Sequence, residues 1–153
     1  MAIEYNMELS TSEQPFELAT VLARELHTDA PSTNDQGVSV VETPDATFFL
    51  SSSDSVGRQA IMEAYGFLPA VSVWIRLCPL EDVPQFSFVL SCFRALLHLI
   101  AGDAVALYAG EIPILLRQRG TLSLNSDYPG FEQVREAFEL AHVPFATQRI
   151  AQL

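Results

Sequence analysis

The chain has 153 residues, 49% hydrophobic and 18% charged, the composition of one globular domain over residues 1–153 with a core that needs no staples. Its net charge is −11, and the acids are concentrated. Residues 1–82 carry thirteen acids against three Arg, giving −10, whereas residues 83–153 carry six against five, giving −1. That sign argues against nucleic acid as a direct ligand and suits a basic protein partner.

In chain order, Ala2–Leu9 alternates, with Ile3, Tyr5 and Met7 on one side, and is expected to be a strand. Thr11-Ser12-Glu13-Gln14-Pro15 starts a helix to about His27, capped by Ser or Thr, with Phe16, Ala19, Leu22, Ala23 and Leu26 as its core stripe. Asp29–Gln36 is polar and holds Pro31, which predicts a loop. Val38–Glu42 and Thr47–Leu50 form a hairpin about Thr43-Pro44-Asp45-Ala46. A short helix from Ser55 to Tyr65 follows, ended by Gly66, and then Phe67–Leu77 is extended.

The segment 86–100 is apolar almost all round. Only Ser87, Ser91, Arg94 and His98 form a polar edge, so a buried helix is predicted, with Asp82 as N-cap, Pro84 in the first turn and Gly102 as the stop. A β-meander comes next. Ala104–Ala109 and Ile112–Arg117 flank a Gly110-Glu111 loop, which sets Leu107 opposite Ile114 and Val105 opposite Leu116. A Gln118-Arg119-Gly120 loop then sets Leu122 opposite Leu116 and Leu124 opposite Ile114, with all these apolar residues on one face. A last helix runs from Pro129 to about Ala141, capped by Asp127, with Phe131, Val134, Phe138 and Ala141 on its apolar side. The fold class expected is α+β, a two-layer domain with a mixed, mostly antiparallel sheet, in the order β-α-β-β-(α)-β-α-β-β-β-α.

The sequence offers no reaction centre. His27, His98 and His142 lie in separate helices without metal-ligand spacing, so no metal and no cofactor is expected. Ser51–Ser55 lacks a nucleophile elbow and is better explained as a helix N-terminus. Glu81-Asp82 and Glu132/Glu136/Glu139 are solvated charges rather than a catalytic pair. An enzyme is not expected. Cys78 and Cys92, in apolar segments, are expected to be reduced core residues, which points to the cytoplasm. No apolar run approaches the roughly 20 residues of a membrane span, and the start, Met1-Ala2-Ile3-Glu4, lacks signal-peptide features. Trp74 belongs to the core or a half-buried sheet face, with a partner hot spot as the alternative.

Three segments carry a resemblance. Met1-Ala2-Ile3-Glu4-Tyr5, the strand from Gly66 through Trp74 to Leu77, and the hairpin from Gly102 through Gly110 to Arg117 occur in the order found in small bacterial immunity proteins of the Sit type. These are antidotes of contact-delivered polymorphic toxins. Where members often carry a basic and aromatic stretch after the central strand, this chain has Cys78-Pro79-Leu80-Glu81. The resemblance implies direct binding of a cognate protein toxin, with no catalysis. The acidic half implies that the toxin is basic, as a nuclease is. A secretion chaperone or adaptor that binds an effector protein is the rival expectation. The candidate partner-binding residues are the acids left on loops, turns or exposed faces: Asp35, Glu42, Asp45, Asp54 and Glu63.

Overall fold

The computed structural model describes residues 3–78 and 85–153. In chain order the elements are β1 (Glu4–Leu9), α1 (Pro15–Glu25), β2 (Ser32–Thr33), β3 (Ser39–Glu42), β4 (Ala46–Ser52), α2 (Ser55–Tyr65), β5 (Val71–Leu77), α3 (Gln85–Leu99), β6 (Ala104–Tyr108), β7 (Ile112–Gln118), β8 (Thr121–Asn125), α4 (Phe131–Leu140) and β9 (Ala146–Gln148). The strands make one sheet in the order β2-β3-β4-β5-β1-β6-β7-β8-β9. The pairings are antiparallel except for β8 with β9. The expected α+β class and element order are observed, with two short edge strands, β2 and β9, added in segments that lack an alternating apolar pattern.

β1 is the centre of the sheet, paired with β5 on one side and β6 on the other. Its alternation sorts the two faces. Tyr5, Met7 and Leu9 are buried on the face that carries the main core, beside Phe48 and Leu50 of β4, Val73 and Ile75 of β5, and Ala104 and Ala106 of β6. α1, α3 and α4 cover that face. α3 is the plug: Val89, Cys92, Phe93 and Leu96 are fully buried, while Ser87 and His98 remain exposed on the polar edge. The Phe93 ring meets Tyr5 edge-on at 6.1 Å. Burial pushes the Cys92 thiol up to about 12.

α2 packs on the other face. Its Ile61 and Tyr65 cover Val105, Leu107 and Leu116, and Ile150 joins them. Tyr65 Oη donates to the Ala151 carbonyl at 2.8 Å, which ties the C-terminal segment down. The two-layer expectation therefore holds for one face, and a partial third layer exists on the other.

Several local expectations are corrected. α1 begins at Pro15 with Gln14 as N-cap and no side-chain cap bond, and it ends at Glu25. Its buried residues are Leu18, Ala19, Leu22 and Ala23, whereas Phe16, the second residue of the helix, is 49% exposed. Ile3 likewise lies exposed before β1. α4 starts after Gly130, and Asp127 does not cap it. Cys78 sits just past β5 and is half-buried. The expected cap Asp82 and first-turn Pro84 lie outside the described residues.

The meander register also differs. The first loop has three residues, Ala109 to Glu111, between paired Tyr108 and Ile112, and the second has two, Arg119 and Gly120; φ is positive at Ala109 and Gly110 and again at Arg119 and Gly120, as in a type I′ turn. The first loop begins one residue earlier than expected, and a bulge beside Ala106 and Leu107 absorbs the offset. Val105 still opposes Leu116, but Leu107 opposes Pro113. The second turn is one residue shorter than expected, so Leu122 opposes Arg117 and Leu124 opposes Leu115. A one-residue slip exchanges faces. Ile114, Leu122 and Leu124 thus join the main core instead of sharing the face of Leu116.

Candidate functional site

The register across β3, β4, β5, β1 and β6 builds rows on the face opposite the three helices. One row runs Glu42–Thr47–Arg76–Glu4, the next Val40–Phe49–Trp74–Asn6–Leu107, and the third Ser51–Ser72–Glu8–Val105. From β6 onward these rows are covered by α2. On the acidic side they are open: Phe49 and Trp74 are half-buried, and Arg76 is exposed. Arg76 Nη2 pairs with Glu4 at 2.8 Å, and its guanidinium lies over the Phe49 ring at 5.4 Å.

A cavity of about 260 Å³ opens where the covered and open parts of this face meet. It is lined by Asn6, Glu8, Ser53, Asp54, Ser72 and Trp74 among others. Glu8 holds the centre. Ser72 Oγ donates to Glu8 Oε1 at 2.7 Å, Ser53 Oγ to Oε2 at 3.2 Å, and Asn6 Nδ2 to Oε1 at 3.3 Å. Burial raises the Glu8 carboxyl above the ordinary range, these hydrogen bonds work against the rise, and the nearby Asp54 charge adds to it. Among the described residues no cationic side chain pairs with Glu8. Asn6 is 2% exposed, and its Oδ1 has no hydrogen-bond partner. The Trp74 ring reaches the β6–β7 turn, where a Cβ on Gly110 would lie 3.3 Å from it.

The five acids singled out from the sequence do not form one cluster. Asp35 is exposed in the turn between β2 and β3. Glu42 is exposed at the end of β3, in the outermost open row. Asp45 is half-buried in the β3–β4 turn, where its carbonyl accepts from the Cys78 N–H at 3.0 Å. Asp54 caps α2, its Oδ1 accepting from the Gly57 N–H at 2.6 Å, and it lines the Glu8 cavity. Glu63 lies exposed on α2 and accepts from Gln59 at 2.8 Å. Sequence reasoning missed Glu8. Its place opposite the apolar side of β1 was visible, but its partners Ser53 and Ser72 stand 45 and 64 residues away. The serine run at 51–53 is thus more than a helix approach, since three of its members line this cavity.

The arrangement can hold a cation or a hydrogen-bond donor. Among the described residues no three His, Cys, Asp or Glu side chains gather as a metal site requires. No helix among the described residues is long and apolar enough to cross a membrane.

The family model described as SitI3-like matches residues 3–135, which includes β1, the Glu8 cavity strands and α3. The chain belongs to the SitI3-like family. This is the Sit-type immunity family that the three segments resemble. No curated protein and no solved structure matches the chain.

Proposed function

We propose that this SitI3-like protein is an immunity protein that binds a cognate bacterial toxin in the cytoplasm and neutralises it by direct contact, without chemistry. Membership of the SitI3-like family carries the reading. The open, acidic part of the sheet supports it, because a rigid face needs little ordering on binding and its charge speeds encounter with a basic partner. A basic, nuclease-like toxin fits that charge. The exposed acids Asp35, Glu42, Asp54 and Glu63, with half-buried Asp45, act as steering charges in this reading.

Co-expression with the toxin encoded next to it is the test. The parent protein should restore growth. A variant with all five acids changed to Asn or Gln should associate more slowly and with a flatter salt dependence, while dissociation changes less, because rim charges act mainly on association and are screened beyond about 8 Å at physiological salt. Absence of protection by the parent overturns the immunity reading. Unchanged association of the variant at low salt removes these acids from the docking face.

A further inference from the structure

We propose that the Glu8 cavity receives one arginine side chain of the protein partner. The identity of that partner rests on the immunity reading; the chemistry of the cavity does not. At about 260 Å³ it falls below the roughly 300–1,000 Å³ of small-molecule sites, and a single long side chain suits it better. It opens beside the exposed part of the sheet, where a docked protein would lie.

The polar groups ask for donors and positive charge. Glu8 is desolvated, its three partners are neutral, and Asp54 repels it. The Asn6 amide is oriented by the bond from its Nδ2 to Glu8, which leaves Oδ1 as an unused acceptor in a residue 2% exposed. Arginine brings five donors and no acceptor, and its planar fork matches a carboxylate. Trp74 supplies an aromatic wall, the best surface for a guanidinium, and Arg76 over Phe49 makes the same kind of contact one strand further out. Lysine would satisfy the charge but neither the fork nor the stacking.

Trp74 is the single tryptophan of the chain, so intrinsic fluorescence reports on this wall. The probes are N-acetyl-argininamide and its neutral isostere N-acetyl-citrullinamide, titrated at low salt into the full chain. The arginine probe should shift Trp74 emission saturably, and the citrulline probe should bind roughly tenfold more weakly or worse. Glu8→Gln, shown to be folded by its melting curve, should lose the arginine response, while Asp127→Asn, remote and exposed, should keep it. Equal binding of the two probes, or an undiminished response in Glu8→Gln, overturns the proposal. Growth protection is scored separately: protection without arginine binding refutes the cavity and leaves immunity standing, and arginine binding without protection does the reverse.

Discussion

The carbonyl oxygen of Ser10 lies 2.0 Å from the point where a Cβ on Gly102 would stand. The chain leaving β1 and the chain entering β6 are in direct contact there, clamped by the Ser10 N–H donating to the Asp103 carbonyl at 2.8 Å. Only glycine leaves room. Gly102→Ala should force the two segments apart and cost about 1–3 kcal/mol, the range for overpacking. Chemical denaturation measures it, and an unchanged midpoint would contradict the contact.

Glu8 makes stability depend on pH. Its carboxyl titrates higher in the folded chain than in the unfolded one, chiefly because it is buried. As pH rises through that window, the unfolded chain releases its proton first, so the folded state loses stability as pH climbs from the ordinary Glu range through the raised value. Glu8→Gln removes the effect. Melting temperatures of parent and variant should converge near about pH 4 and separate toward neutrality, with the variant higher. A variant that is less stable than the parent at neutral pH would show that ionised Glu8 is favoured in the fold.

Phe93 is fully buried in α3, against Tyr5 of the central strand. Phe93→Ala should cost roughly 3–5 kcal/mol through lost burial and the cavity left behind. A soluble variant with the parent's melting temperature would refute the placement of α3.

Arg117 closes the end of the same helix. Its Nη1 donates to the Leu97 carbonyl at 2.7 Å, its Nη2 to Ile100 at 2.6 Å, and its Nε to Gly102 at 3.0 Å. These carbonyls lie at and just beyond a helix C-terminus, where a cation is favoured. Arg117→Met should cost about 2 kcal/mol or more, since acceptors are left unpaired. Arg117→Lys should recover only part of it, because one ammonium cannot span three carbonyls in this fork. Hydrogen exchange in α3 gives a second readout: the amides of its last turn should lose protection before those around Phe93.

Much of the fold was legible in the sequence because it rests on local pattern. The two-period of β1, the cap and stop of α2 at Asp54 and Gly66, and the all-round apolar character of α3 are properties of neighbouring residues, and the observed elements follow them. Family membership over residues 3–135 agrees with the segments that carried the resemblance. The meander register was beyond local reading: Gly110 and Gly120 announced turns, but which residue shares the left-handed conformation with each glycine decides the pairing, and Ala109 and Arg119 are not residue types that advertise positive φ. The short strand β9 needed a partner in β8 to exist at all. The Glu8 cavity depended most on tertiary structure. Charge and alternation placed an acid on the face of β1 opposite the core; only the long-range pairing of β1 with β5, and the return of α2 over β6, surrounded it with Ser53, Ser72 and Trp74, because desolvation and hydrogen bonding act through space and not along the chain.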